Sequence, residues 1–223
     1  MQRPTGVLLD VDGTLVDSND MHAQAWTRAL GEAGVSAAFA TVRRLIGKGG
    51  DKLLPEVAGI DAESDKGQAI NKRRDEIFQT EYLPKLRPFP GAKELLARMS
   101  KEGLKLAVAS SSERDQLKRL LQVCGADEFI EASTSSDDAE NSKPDPDIVH
   151  AALKQLGQSP DRVILLGDTP YDVEASLKAG IRVVGVRCGG WSDADLKGAV
   201  QIYADPADLL ARFDQSVFAG GNK

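Results

Sequence analysis

Short, continuous apolar runs alternate with longer amphipathic stretches along most of the chain. The first run begins at Gly6 and ends at Leu9, where Asp10 follows. A run of this length that leads into polar residues and a glycine turn is typical of a strand buried on both faces of a parallel sheet. Similar runs predict further strands at residues 104–109, 129–132, 163–166 and 183–186.

Amphipathic stretches lie between these runs and predict helices. Helical spacing of apolar residues covers 91–102, 113–123, 147–156, 173–179 and 206–213. Strands that alternate with helices in this way indicate an α/β fold, a doubly wound, Rossmann-like parallel sheet of about five strands.

Residues 18–85 follow a different pattern, with helical spacing and no convincing strand. We place the N-cap of the first helix at Asn19 or Asp20 and its end at Gly34, and further helices at 39–46, 52–58 and 63–83. Prolines at positions 84, 88 and 90 mark a boundary. The sequence therefore predicts a core domain at 1–17 and 86–223, interrupted by an all-α helical-bundle cap at 18–85.

Polar side chains follow three of the predicted strands, at the point where each strand ends. They are Asp10 and Asp12 after the first, Ser110, Ser111 and Ser112 after the second, and Asp168 and Asp172 after the fourth; Lys143 lies in a loop before a helix. In a doubly wound sheet these ends converge on one crevice. The carboxylates two residues apart point to the same side of a strand and call for a cation or a shared proton.

Each of these residues also has a purely structural explanation. Asp10 and Asp12 fit a polar turn, Ser111 or Ser112 could cap the helix that follows, and Asp168 could cap the helix near Pro170. Lys143 could be one more exposed lysine. The coincidence of three acids (Asp10, Asp12 and Asp168), the Ser110 hydroxyl and the Lys143 cation at one end of one sheet favours a functional site.

Composition limits the kinds of binding partner and the cellular compartment that we expect for this chain. The 223 residues carry a formal net charge of −6, which argues against nucleic acid as the main partner. The two cysteines, Cys124 and Cys188, match no zinc spacing and suit a reducing compartment. We see no signal-peptide pattern and no apolar run that could cross a bilayer, so we expect a cytoplasmic protein without a membrane partner. Monomer and dimer both stay open.

Four ordered segments resemble the motifs of the haloacid dehalogenase superfamily. They are Asp-Val-Asp-Gly-Thr-Leu-Val from Asp10, Ala-Ser-Ser from Ala109, Lys-Pro at Lys143 and Gly-Asp-Thr-Pro-Tyr-Asp from Gly167. The helical insertion after the first motif resembles the C1-type cap of the phosphoglycolate phosphatase and β-phosphoglucomutase-like group. The resemblance extends over nearly the whole chain.

The resemblance implies a Mg²⁺-dependent phosphatase that acts on a small phosphorylated metabolite, such as a sugar phosphate or phosphoglycolate. Asp10 would be the nucleophile that forms an aspartyl-phosphate, and Asp12 the general acid and base. In the dehalogenases of the superfamily this second aspartate is not kept, so Asp12 favours phosphoryl transfer. Two alternatives stay open: a phosphomutase of the β-phosphoglucomutase type and a non-catalytic phosphate-binding module.

The resemblance also assigns ligands. Asp10, the backbone carbonyl of Asp12, and Asp168 would hold Mg²⁺. Asp172 would contact these ligands and not the ion itself. Ser110, Ser111 and Lys143 would bind the phosphate.

Two residues of the predicted cap are candidates for substrate contacts. Lys48 lies in the glycine-rich turn from Gly47 to Gly50, which resembles the substrate-specificity loop of C1 caps, and His22 resembles a histidine of β-phosphoglucomutase-like members. An exposed lysine in a connecting turn and a surface histidine are the alternatives.

Overall fold

The predicted apolar runs form one parallel sheet in the computed structural model, which describes residues 3–219. Within these residues the sheet has six strands in the order β3-β2-β1-β4-β5-β6. The strands are β1 (Gly6–Leu9), β2 (Lys105–Ala109), β3 (Ala132–Thr134), β4 (Val163–Gly167), β5 (Arg182–Val186) and β6 (Gln201–Tyr203). The α/β fold class is confirmed.

The helices fall into two groups along the chain. The first group is α1 (Asn19–Glu32), α2 (Phe39–Leu45), α3 (Gly50–Ala58) and α4 (Asp65–Ile77). The second group is α5 (Ala92–Lys101), α6 (Arg114–Cys124), α7 (Asp147–Leu156), α8 (Pro170–Lys178) and α9 (Pro206–Ala211). The chain divides accordingly into two compact units, Ser18–Leu86 and Met1–Asp17 with Arg87–Lys223.

Strand β1 lies at the centre of the sheet and determines where polar residues collect. Its four residues are fully buried, and Leu9 is in register with Val108 of β2 and Leu166 of β4. Strand order reverses between β1 and β4, which in open α/β sheets opens a crevice at the carboxyl ends of the strands. The residues just after Leu9, Ala109 and Gly167 therefore meet at this edge.

Two strand predictions differ from the structure. The third strand lies at Ala132–Thr134, because Asp127–Phe129 forms a 3-10 turn instead. The sixth strand, Gln201–Tyr203, was not predicted, since it has three residues of which only Tyr203 is buried. A strand that short carries no apolar pattern of its own.

The helical unit Ser18–Leu86 has its own apolar interior, which includes Trp26, Leu30, Leu53, Ile70 and Phe78. Asn19 is already helical and Ser18 occupies the N-cap position, so the prediction of Asn19 or Asp20 as N-cap is wrong. The long helix predicted at 63–83 ends earlier, at Ile77, and continues as a π-helical turn. No helix in the described part of the chain combines the length and apolar content needed to cross a membrane.

Candidate active site

Lys143 connects two carboxylates at the carboxyl edge of the sheet. Its Nζ donates to Asp10 Oδ1 and to Asp172 Oδ1, each at 2.7 Å. Only 1% of the side chain is exposed, so the alternative of an exposed lysine is wrong. Burial opposes the ammonium charge, yet the two carboxylates outweigh it and raise the pKa of Lys143 above its ordinary value. The lysine is therefore a permanent buried cation.

Asp10 follows β1 and is almost fully buried, with 7% of its surface exposed. Burial raises the pKa of Asp10 to about 7, against the opposing attraction of Lys143, and Asp172 adds to the rise. The carboxylate thus lies in a buried environment that disfavours its ionised form, in spite of the adjacent ammonium. A further cation beside it would lower this pKa and favour the ionised form.

Thr14 links Asp10 to Asp168. Its hydroxyl oxygen lies 3.0 Å from Asp10 Oδ2 and 3.1 Å from Asp168 Oδ1. Because a hydroxyl has a single proton, it can donate to only one of the two carboxylates at a time. Thr14 is not among the site residues predicted from the sequence, although it follows Asp12 after a single glycine.

Three buried carboxylates could share a metal ion. Oxygen atoms of Asp10, Asp168 and Asp172 all lie within 4.8 Å of one another. A donor set made only of carboxylate oxygens suits a hard divalent cation. The backbone approaches closely here: a Cβ atom at Gly189 would overlap the Asp168 carboxylate, so only glycine fits without displacing that group.

Asp172 is held from two sides. Its Oδ2 accepts from the backbone N–H of Thr169 at 3.0 Å and from the Thr169 hydroxyl at 2.6 Å, in a capping box at the start of α8. Its Oδ1 accepts from Lys143. Thr169, not Asp168, occupies the N-cap, so the capping explanation of Asp168 is wrong. Asp168 is left to the interior of the site, with no exposed surface.

The serine-rich turn after β2 contacts the second aspartate of the first motif. Ser112 Oγ donates to Asp12 Oδ2 at 2.8 Å, and the Ser112 N–H donates to Ser110 Oγ at 3.1 Å. Glu113 is the N-cap of α6, so neither Ser111 nor Ser112 caps that helix. The Ser111 hydroxyl oxygen is buried and finds no hydrogen-bond partner among the described residues.

The two cap candidates both have partners inside the helical unit. His22 is 6% exposed and its ring stacks on Phe78 with centroids 3.9 Å apart, so the alternative of a surface histidine is wrong. Lys48 forms an ion pair with Glu56. The substrate contacts of His22 and Lys48 stay predictions.

Known proteins resemble the chain over most of its length. A sequence profile of the family described as haloacid dehalogenase-like hydrolase matches residues 7–186. Pyrophosphatase PpaX of Bacillus velezensis is 28% identical over 94% of this chain and 92% of its own length. The phosphoglycolate phosphatase of Rhodospirillum rubrum is 29% identical over 92% of this chain and 89% of its own length.

One further relative is much longer, and one solved structure matches closely. The chloroplastic protein SUPPRESSOR OF QUENCHING 1 of Arabidopsis thaliana is 33% identical over 87% of this chain, which spans only 19% of that protein. The crystal structure of a hydrolase from Pseudomonas syringae is 30% identical, with a TM-score of 0.89 over 95% of this chain and 98% of the other.

Proposed function

Because the chain belongs to the haloacid dehalogenase-like hydrolase family, we propose that it is a phosphatase that hydrolyses a small phosphorylated metabolite through an aspartyl-phosphate on Asp10. The observation that carries the proposal is the contact of Asp10 Oδ1 with the buried ammonium of Lys143 at 2.7 Å. That cation lets a negatively charged nucleophile approach a negatively charged phosphate ester. A sugar phosphate or phosphoglycolate is the proposed substrate type, in keeping with the name of the Rhodospirillum relative.

The proposed reaction has two steps. An Asp10 oxygen attacks phosphorus, the bond from phosphorus to the alcohol oxygen breaks, and Asp12 gives that oxygen its proton. Water then attacks the aspartyl-phosphate while Asp12 takes a proton from it, which releases inorganic phosphate and restores both carboxyl groups. Asp10 must be ionised to attack phosphorus, but it needs no base to activate it.

Ser110, Ser111 and Lys143 are the proposed phosphate ligands. Ser110 Oγ already accepts a hydrogen bond from the N–H of Ser112, so its own proton points to another acceptor. Ser111 is proposed to donate through its backbone N–H. Its hydroxyl oxygen is also buried without a partner in the described structure, and a phosphate oxygen would provide one. Hydroxyl, ammonium and backbone N–H donors are the groups that phosphate oxygens accept from.

Asp10, the backbone carbonyl of Asp12, and Asp168 would hold Mg²⁺, which would neutralise charge on the carboxylates and the phosphoryl group. The buried oxygen ligands described above fit this ion. Asp172 is better assigned to Lys143, because both of its oxygens are already engaged by Lys143 and Thr169.

We assign the unit Ser18–Leu86 the role of a cap that contacts the leaving group. Lys48 and His22 are its proposed substrate residues. Lys48 would exchange its ion pair with Glu56 for an anionic group of the substrate.

A screen of phosphorylated metabolites tests the proposed function. The purified chain is incubated with Mg²⁺ and a panel of sugar phosphates, phosphoglycolate and pyrophosphate, and inorganic phosphate is measured with the Asp10→Asn variant as blank. We expect steady phosphate release from at least one ester without any bisphosphate activator. A sugar phosphate that is isomerised without phosphate release would instead indicate a mutase. Binding without turnover across the panel would contradict the proposal.

Gly189→Ala should weaken metal binding. The new methyl group would overlap the Asp168 carboxylate and force it to move. Displacing groups that orient a metal ligand typically costs about 10- to 100-fold in metal affinity or activity. We expect the Mg²⁺ concentration for half-maximal activity to rise by this factor and the Mg²⁺-induced increase in melting temperature to shrink.

Gly31→Ala is the matched control for this substitution. Gly31 lies within α1, and apart from its chain neighbours and the backbone of its own helix nothing in the described structure would lie within 4 Å of an added Cβ. Alanine should stabilise that helix by about 0.4–1 kcal/mol and leave the Mg²⁺ response as it is. An unchanged Mg²⁺ response in Gly189→Ala would remove Asp168 from the metal site.

A further inference from the structure

We infer that Ser112 and Gln116 are positioning residues that hold the Asp12 carboxylate in place for proton transfer. The inference rests on the proposed function, in which Asp12 is the general acid and base. It concerns residues that neither the motifs nor the resemblance assigns to Asp12.

The contacts form a chain of three side chains. Gln116 Nε2 donates to Ser112 Oγ at 2.9 Å, and Ser112 Oγ donates to Asp12 Oδ2 at 2.8 Å. Because the amide nitrogen can only donate, it occupies a lone pair of the Ser112 oxygen and leaves the hydroxyl proton for the carboxylate. The chain therefore has one direction, from Gln116 through Ser112 to Asp12.

Gln116 is a buried polar side chain. It is 3% exposed, and it lies in the first turn of α6 beside the buried residues Leu117 and Leu120. Burying an amide costs free energy unless the amide is hydrogen-bonded. The hydrogen bond to Ser112 provides an acceptor for the buried amide nitrogen of Gln116.

Ser112 contacts both the proposed general acid and a proposed phosphate ligand. Its side chain holds Asp12, while its backbone N–H donates to Ser110 Oγ at 3.1 Å. One residue thereby sets the orientation of both the proposed acid and the proposed phosphate ligand. Rate depends steeply on such alignment, since a displacement of about 1 Å can cost about 100-fold.

The test compares esters whose leaving groups need a proton to different extents. Nitrophenolate is a stable anion that departs without protonation, whereas a primary alkoxide needs the acid. The ratio kcat/KM covers the steps up to departure of the leaving group. For Ser112→Ala we expect kcat/KM to fall about 10-fold for an alkyl phosphate, the worth of one hydrogen bond to a charged group, and less than about 3-fold for 4-nitrophenyl phosphate.

Ser112→Thr keeps the hydroxyl and should restore the wild-type ratio between the two esters. Ser133→Ala, which removes an exposed hydroxyl on β3, is the control. Equal losses on both esters, or no loss on either, would overturn the inference while phosphatase activity itself persists. A wild-type chain that releases no phosphate above the Asp10→Asn blank would contradict the proposed function instead.

A second variant tests the direction of the chain and does not depend on Ser112→Ala folding well. Gln116→Met keeps the length of the side chain and removes the donor, so the alkyl ester should lose about 3-fold in kcat/KM. Because Gln116 acts through Ser112, Gln116→Met should cause no further loss of kcat/KM in the Ser112→Ala background. Gln122→Met, at an exposed position of the same helix, is the control. Additive losses would mean that Gln116 acts by another route.

Discussion

Asp10→Asn is expected to abolish phosphate release while the protein stays folded. An amide oxygen is a poor nucleophile and does not form the acyl phosphate, so the covalent route is closed. The shape of the side chain and its contact with Lys143 can be kept. Phosphate release is measured on the best substrate of the screen, with Mg²⁺ present. Substantial turnover would exclude the covalent route.

Stability measurements separate lost chemistry from lost folding in this variant. In the folded chain the pKa of Asp10 is raised by burial from 3.8 to about 7. Between pH 3.8 and about 7, the folded state therefore keeps a proton that the unfolded state has already released. In metal-free buffer the stability of the folded state should fall as the pH rises through this range. Asparagine does not titrate, so this part of the pH dependence should disappear from urea unfolding curves in metal-free buffer. Asp115→Asn, at an exposed position of α6, is the control for both activity and stability.

The positions of the core acids could be predicted from sequence because they depend on short-range patterns. A continuous apolar run predicts β1, and the two aspartates follow its last residue, Leu9. Because both lie beyond the end of the strand, the two-residue period of a strand does not determine their directions. The order of strands in a doubly wound sheet then brings Asp168 and the serine turn to the same edge. Lys143 joins this edge by its loop position and by its motif, but the burial of its side chain could not be predicted, since a loop lysine has no pattern that distinguishes buried from exposed.

The partners of these residues could not be predicted, because they depend on contacts between distant segments. Ser112 and Asp12 are 100 residues apart, and nothing near Ser112 in the sequence indicates which acceptor its hydroxyl meets. Gln116 offered a signal in retrospect, as a polar residue on the apolar face of a helix. Strand β6 cannot be predicted from a pattern, because three residues cannot show a period. The predicted helix at 63–83 extends beyond α4 because the π-helical turn after Ile77 keeps a helical pattern.

Lys143→Met should cause the largest loss of stability of any single substitution discussed here. Lys143 is 1% exposed and forms ion pairs with both Asp10 and Asp172. Removing one partner of a buried ion pair costs about 3–5 kcal/mol, because the remaining charge stays buried without compensation. Urea unfolding in metal-free buffer at pH 8 measures the loss. Lys105→Met is the control: its side chain is 50% exposed and lies 3.9 Å from Glu131, so we expect a change within about 1 kcal/mol.

The cause of the loss can be identified by pH and by a second substitution. Without the lysine, the pKa of Asp10 should rise further, and a protonated carboxyl carries no charge to compensate. The destabilisation should therefore be smaller at pH 5 than at pH 8, whereas a packing defect would give the same loss at both pH values. Asp172→Asn should also offset part of this destabilisation. The double variant Lys143→Met/Asp172→Asn should therefore lose less unfolding free energy than the sum of the two single losses. A loss that is independent of pH and additive with Asp172→Asn would mean that Lys143 contributes mainly through packing, and its role as the cation beside the nucleophile would no longer hold.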